Sequence, residues 1–444
     1  MRTTRRQTLG LLGSVIAAPY VLRSEEAQAA PAPTIIPLNT IGLGTDLGFG
    51  VQAQQLCPFQ GGGFSPGFVS SGLANDPAGR FAFIRVHAAN GAPRTDSIPV
   101  VHPSGPVTDG KPAYNISIAT RQNGKVIAVV SAERNDKPGQ SAGIRPFSRW
   151  YTGDVGIELL PVAGFRELTT DTAAQAYVTP VMDAGGQFSI GLDAMMVCRT
   201  QPSAPDSGQI IGFELNNRGI LTDGPTKLTP AAGAEVPTGL VQVPRLADRA
   251  EWWNSYYRDA GGIRTTNLQR MSGTSRVGAP IRLKSSQGNN FSAAGIAANS
   301  SGNLCAAFFT DAPAPGAPRA DGTFRLVVRI YRPNRTLLAQ RVIGTSRIDI
   351  FANSFPKVTS LADGRFVIVT DGLAGSTRSI NAWLVSPLGV PLAGPVMVYF
   401  TAGAMAATSL ITAPNGHCWV SWTENLTLPP SAYDAFARRF RIAG

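Results

Sequence analysis

Apolar residues along this chain fall in short runs, each led by a small turn. The stretch Leu361–Gly372 reads LADGRFVIVTDG. Its echoes are AGRFAFIRV from Ala78, NGKVIAVVS from Asn123, GGQFSIGLD from Gly185, SGNLCAAFF from Ser301 and NGHCWVSWT from Asn415. Runs of this length bounded by Gly and Asn predict strands. Their weak alternation of apolar and polar positions predicts strands covered on both faces, as in a sheet packed between two others.

The turn positions Gly79, Gly124, Gly186, Asp248, Gly302, Gly364 and Gly416 recur at intervals of 45 to 62 residues. Such a period, filled with short strands, predicts the four-stranded blades of a propeller. A second echo is independent of the first. Gly105-x4-Gly110, Gly219-x4-Gly224, Gly273-x4-Gly278 and Gly389-x4-Gly394 lead to Pro112, Pro225, Pro280 and Pro395. The first turn closes a hairpin between the first and second strands of a blade. The second joins the third strand to the outermost one, where proline is tolerated because an edge strand has donors facing solvent. One blade reads in full: innermost strand near Pro356–Leu361, second at Arg365–Thr370, third at Ser379–Val385, outermost at Pro395–Tyr399.

The chain end tests the pattern. Ala435–Gly444 reads as a third strand with nothing after it, and Pro33–Leu38 offers the missing fourth. The expectation is an all-β fold. It is a single seven-bladed β-propeller closed by pairing an N-terminal strand with the C-terminal blade. Residues 30–66 hold the closing strand and a connection, and 67–444 the blades. Six or eight blades are the alternatives, because the second and fifth blades lack the Gly-x4-Gly echo. The repeats resemble those of exported bacterial β-propeller proteins of uncharacterised function. That resemblance spans nearly all of residues 30–444 and implies the fold alone, since propellers host unrelated functions.

The N-terminus changes the picture of where the protein works. Thr4-Arg5-Arg6-Gln7-Thr8-Leu9 resembles a twin-arginine export signal, and Ala27-Gln28-Ala29 a signal peptidase site, giving residues 1–29 as a signal peptide. The run Leu9–Leu22 is broken by Gly13, Ser14 and Pro19, and no later stretch reads as a bilayer span. The expectation is a periplasmic or secreted monomer exported by the twin-arginine pathway.

Charged residues make up 15% of the chain, with 48 Gly and 34 Pro, which disfavours a helical protein. The net charge of +11 suits an anionic polysaccharide or another envelope component. Export makes nucleic acid a poor partner. No residue pattern names a cofactor.

Candidate chemistry follows from the fold. Connections between second and third strands emerge on one face, around the mouth of the central channel. Several of those strands end in a carboxylate: Glu133, Asp259, Asp311, Asp371 and Glu424, flanked by Arg134 and Arg258. Carboxylates there suit a ligand or acid–base work. The competing reading is turn capping, repeated because the blade is repeated. The stretch Glu251–Asp259 (EWWNSYYRD) alternates Trp252, Asn254, Tyr256 and Arg258 on one face with Trp253, Ser255, Tyr257 and Asp259 on the other. Tyr257, Arg258 and Asp259 near its end are the members expected at the surface, where they suit a sugar ring; the rest suit packing between blades.

Other motifs carry less. Gly63-Phe64-Ser65-Pro66-Gly67 has nucleophile-elbow spacing, but Pro66 has no N–H for an oxyanion. His87 and His417 are assigned to second strands and His102 to a third, with no zinc spacing. Cys57, Cys198, Cys305 and Cys418 allow two disulfides; Cys305 and Cys418 lie too far apart in the ring, and Cys57 has Cys418 or Cys198 in reach. Buried single thiols are the alternative. Two functions remain open: a binding or scaffold module for an anionic glycan or envelope partner, or a polysaccharide hydrolase or lyase with its site at the channel mouth.

Overall fold

The structure is a computed structural model. It describes residues 32–43, 51–73, 76–100, 113–121, 126–135, 143–152, 160–167, 186–190, 194–199, 209–216, 220–229, 234–243, 251–287, 293–310, 323–347, 355–374, 377–426 and 432–444. The fold is an all-β β-propeller. Strand pairing forms seven four-stranded sheets.

Six sheets are each built from four consecutive strands. After β1 (Thr34–Leu43), the first sheet holds β2 (Val51–Pro58), β3 (Phe64–Leu73), β4 (Asp76–Ile84) and β5 (Ile98–Val100). The second holds β6 (Ala113–Arg121), β7 (Val126–Asn135), β8 (Gly143–Thr152) and β9 (Leu160–Glu167). The third holds β10 (Gly186–Ile190), β11 (Ala194–Arg199), β12 (Ile210–Leu215) and β13 (Leu221–Lys227). The fourth holds β14 (Ala234–Gln242), β15 (Glu251–Ala260), β16 (Ile263–Ser272) and β17 (Ser275–Gln287). The fifth holds β18 (Ala294–Ala298), β19 (Leu304–Thr310), β20 (Thr323–Tyr331) and β21 (Leu337–Arg347). The sixth holds β22 (Lys357–Ser360), β23 (Phe366–Ala374), β24 (Thr377–Val385) and β25 (Pro391–Thr401).

The remaining sheet is composite. It joins β26 (Ala404–Thr412), β27 (Cys418–Leu426) and β28 (Ala432–Ala443) to β1. β1 runs antiparallel to β28, with Thr34 opposite Ala443 and Pro37 opposite Phe440. The innermost strands β2, β6, β10, β14, β18, β22 and β26 each lie against the next, and β26 lies against β2. The expectation of seven blades counts the composite sheet as one; six blades are contiguous in sequence.

Core residues sit between sheets. Val367, Val369, Ile380 and Leu384 of the sixth sheet pack on Ile35, Leu410, Val420 and Trp422 of the composite sheet. Cys305, Phe309, Val328 and Ile330 of the fifth pack on Phe366, Ile368 and Trp383 of the sixth. Alternate side chains of one strand thus serve two different neighbours, which is why the strands carry so little polar alternation. Gly364 and Gly416, at φ of 86° and 78°, close the first-to-second turns of the last two sheets in a conformation that side chains rarely adopt.

Two turn assignments shift. Gly79 lies inside β4, a third strand, and Gly186 opens β10, an innermost strand. A glycine before an apolar run marks any strand of the sheet, and pairing decides which. In the same way Val51–Pro58 and part of Phe64–Leu73 are already first-sheet strands, where the repeat places a connection up to residue 66. Among the described residues no helix is long and apolar enough to cross a membrane. Residues 1–29 lie outside the described residues.

Ile35 on β1 is buried among residues of two sheets. An Ile35→Asp substitution should cost about 3 kcal/mol or more, from lost apolar burial and an unpaired buried charge. Thermal unfolding followed by circular dichroism checks this, and an unchanged midpoint would mean that β1 does not hold the ring shut.

Candidate functional site

Antiparallel order sets which residues share the mouth face. Second strands end there, third strands begin there, and innermost strands begin there. In the fourth sheet this gathers Glu235 of β14, Tyr256 to Asp259 of β15 and Arg264 of β16. Gly261 and Gly262 form the tight connection, so Asp259 stands opposite Arg264 in register. The Arg264 Nη2 atom lies 3.1 Å from Asp259 Oδ2, and its guanidinium lies 4.7 Å from the centre of the Tyr257 ring. Tyr257 and Asp259 are half-buried beneath this clamp.

The rest of the aromatic run packs. Trp252 is buried against Ile210, Leu228, Tyr256 and Met271. Trp253 is buried on the other side, among Leu304, Phe308 and Tyr331 of the fifth sheet. Ser255 donates to the Ala294 carbonyl at 3.0 Å, fastening the fourth sheet to the fifth. The expected alternation of the two faces is therefore the one observed.

Glu235 is the residue that the sequence pattern did not single out. It pairs in register with Arg258 and is 1% exposed. Burial pushes its carboxyl up to about 7; hydrogen bonds to the Thr229 side chain and the Ile210 backbone and the charges of Arg258 and Arg276 oppose that rise. Tyr256, on the same face of the sheet, is raised by burial and by the Glu235 charge. The only trace in sequence is a lone carboxylate opening the apolar stretch AEVPTGLVQ.

Asp371 and Glu424 are engaged in joining sheets. Asp371 Oδ1 accepts the Ala407 N–H at 3.0 Å, linking β23 to β26 of the next sheet. Glu424 on β27 accepts from the Tyr399 hydroxyl at 2.9 Å, from the Thr401 hydroxyl and from Trp422 Nε1 at 3.4 Å. Tyr399 and Thr401 belong to β25, so this carboxylate ties the rim of the sixth sheet to the composite sheet. Tyr399 is pushed up to about 12, first by burial and then by its bond to Glu424. Lys357, beginning β22, stands over the Phe355 ring; burial lowers it to about 7, and the Asp371 charge opposes this.

Glu133 lies on β7, opposite Ala113 and Arg145. Its side chain, Asp311, His102 and the Cys198 side chain fall outside the described residues. His87 sits past the end of β4, bridged to Phe64 and Pro93, with its ring 4.9 Å from Phe64 and Nδ1 3.0 Å from the Gly91 carbonyl. His417 occupies the turn before β27. Neither is in a second strand: His87 follows β4, the third strand of its sheet, and His417 stands one residue before β27. Ser65 is buried within β3, a strand rather than a strand-to-helix turn. Cys57, Cys305 and Cys418 are buried and unpaired, each thiol raised by burial. The reach of Cys57 to Cys418 is thus not used: the two thiols sit in different inter-sheet cores. Among the described residues no cluster of His, Cys, Asp and Glu is suited to a metal.

The geometry has counterparts among known folds. No family model matches the sequence, and no curated protein matches it. An ulvan lyase from a new family of polysaccharide lyases, bound to -[GlcA(1-4)Rha3S]-, is similar with a TM-score of 0.51 and 8% identity, over 89% of this chain and 95% of that one. A NanB sialidase from Streptococcus pneumoniae has a TM-score of 0.45 and 11% identity, over 92% of this chain and 70% of that one. An endo-arabinase from Bacteroides thetaiotaomicron has a TM-score of 0.37 and 11% identity, over 73% and 92%. The likeness is one of fold.

Two outcomes follow from the site. The folded value of Glu235 lies above its ordinary 4.5, so the folded chain holds this proton more tightly. Its contribution is complete below about pH 4.5 and lost as pH rises through about 7. Glu235→Gln should therefore flatten the fall in melting temperature between pH 5 and pH 8, an effect of about 2 kcal/mol; melts across that range read it. Glu424→Ala strands three donors and should cost about 2–4 kcal/mol, seen as a lowered denaturant midpoint.

Proposed function

We propose that the chain is an exported β-propeller that binds an anionic polysaccharide at the mouth face of its fourth and fifth sheets. In this reading the composite sheet is a seventh blade. Residues 1–29 are removed as a twin-arginine signal carrying Arg5, Arg6, Ala27 and Ala29, and the protein works as a monomer in the periplasm or outside the cell.

One observation carries the proposal. From β16 to β21 the described residues hold ten Arg and one Lys and not one Asp or Glu, and of these Arg264, Arg282, Lys284, Arg325 and Arg347 lie in the mouth half of their strands. Arg264 and Arg270 pair with carboxylates, Asp259 and Glu251 of β15. Arg329 instead donates to Gln340 Oε1 at 2.7 Å and to the Arg282 carbonyl at 3.3 Å. Neutral acceptors orient a guanidinium without cancelling its charge, which leaves a field attractive to a polyanion. The ulvan lyase of similar fold holds a chain containing GlcA and Rha3S, which supports a glycan of that acidic kind. Tyr257, Arg258 and Asp259, beside the Arg264 clamp, are the sequence-selected residues that fit the mouth site. Asp371 and Glu424 contribute less, being engaged between sheets, and Glu133 and Asp311 complete the proposed set at the mouth.

The test is retention on immobilised heparin and polygalacturonate as salt rises. Retention should weaken with salt, and Arg282→Glu with Arg325→Glu should weaken binding by about tenfold. Unchanged elution of that variant, or equal retention on neutral dextran, would overturn the reading.

A second reading, a polysaccharide hydrolase or lyase, is favoured by Glu235. A carboxyl near 7, with Tyr256 and Arg258 on its face, has the proton affinity that acid–base work at neutral pH requires. Glu235→Gln would then abolish release of new chain ends from an acidic polysaccharide while leaving retention intact. Turnover surviving in that variant removes Glu235 from the reaction.

A further inference from the structure

On the face opposite the mouth, the seam between the composite sheet and the first gathers positive charge. β27 begins there and β28 ends there. Trp419 stands opposite Arg439 in register and Cys418 opposite Phe440, so His417 falls opposite Arg441. Alternation then puts His417, Trp419, Arg439 and Arg441 on one side of the sheet. That side faces the first sheet, because Trp419 packs in a core with Phe64 and Phe68 of β3. The Arg439 guanidinium lies 5.9 Å from the centre of the Trp419 ring. Its Nη1 donates to the Ala89 carbonyl, in the segment after β4, at 2.7 Å. Arg441 is exposed beside it, and His417 is half-buried.

What this group lacks is a counter-charge. Elsewhere Arg264, Arg270 and Arg365 each meet a carboxylate. At the seam the charges acting on His417 are those of Arg439 and Arg441; burial, the larger cause, and these two charges lower its proton affinity, and among the described residues no carboxylate opposes them. Three nitrogens there, His417 Nδ1, Arg439 Nε and Trp419 Nε1, are buried and have no hydrogen-bond partner among the described residues. All three can donate. Buried donors cost free energy until an acceptor meets them, and two guanidinium groups side by side repel until an anion joins them.

The ligand's chemistry can be narrowed. A metal ion is repelled by the arginines. A carboxylate offers two acceptor oxygens, whereas donors converging from the ends of two strands suit an anion that offers more of them in a tetrahedral arrangement. We propose that His417, Arg439 and Arg441 form a binding site for a sulfate or phosphate group. Arg439 is held in place by Ala89 and Trp419, and Arg441 and His417 supply the open side. The site lies on the face opposite the polysaccharide site and rests neither on that reading nor on export.

Imidazole NMR resonances of the purified chain, followed during titration with sodium sulfate and separately with sodium phosphate, test it. The chain has three histidines, and His417→Gln identifies the resonance concerned. At least one of the two ions should shift that resonance saturably and raise its titration midpoint, since a bound anion offsets the two guanidinium charges. Sulfate keeps its charge across this range, so tighter sulfate binding at lower pH reads the protonation of His417. Arg441→Gln, at an exposed position, should weaken binding by about tenfold or more. Arg282→Glu with Arg325→Glu, on the other face, should leave it unchanged. Galactose-6-sulfate in place of the free ion separates the sources: tighter binding assigns the site to a sulfated sugar, equal or weaker binding to the free ion, and either supports the proposal. No saturable shift with sulfate or phosphate, an equal shift with sodium acetate at matched ionic strength, undiminished affinity in the Arg441→Gln chain, or loss of binding in the Arg282→Glu and Arg325→Glu chain would overturn it.

Discussion

The pairing of β1 with β28 is the constraint on which the rest depends. A row of sheets without it would end in two raw faces, each with a full complement of apolar side chains in water. Ile35 shows how the closure works: it enters the same core as Val367 of the sixth sheet and Phe440 of β28. Once the first strand made is locked to the last, each sheet has two neighbours. Only then can strands such as Phe366–Val369 be apolar on both sides without exposing either.

Polar side chains then act as fasteners between sheets, and this bears on function. Ser255, Asp371 and Glu424 each reach an atom of an adjoining sheet. A carboxylate with three donors is held in place and is a poor candidate for binding anything else. Glu235 is different: burial outweighs its hydrogen bonds and leaves its proton affinity high. Asp371, Glu424 and Glu235 all lie toward the mouth ends of their strands, so position does not by itself separate fasteners from chemistry; the partners of each carboxylate do.

Much of the fold was legible because turns punctuate it. Gly302, Gly364 and Gly416 fall between first and second strands, and Gly224, Gly278 and Gly394 near third-to-fourth turns, as the spacing predicts. The closing strand was legible from what the chain end lacks. Gly79 and Gly186 misled because an apolar run after a glycine looks alike wherever it sits in a sheet. Glu235 was illegible for a related reason: its meaning comes from its opposite number, Arg258, and that register is not written locally. The alternation in Glu251–Asp259 did assign faces correctly, since a strand's two sides follow from its geometry alone.

Burial of Cys57, Cys305 and Cys418 bears on the order of events in the protein's life. Each thiol is shielded only once neighbouring sheets have come together, for each lies in a core shared between them. A chain still unassembled on meeting an oxidising medium would present these sulfurs for crosslinking to one another or to strangers. A chain that assembled in a reducing medium would hold them already sealed, so completing the fold and protecting the thiols are one event.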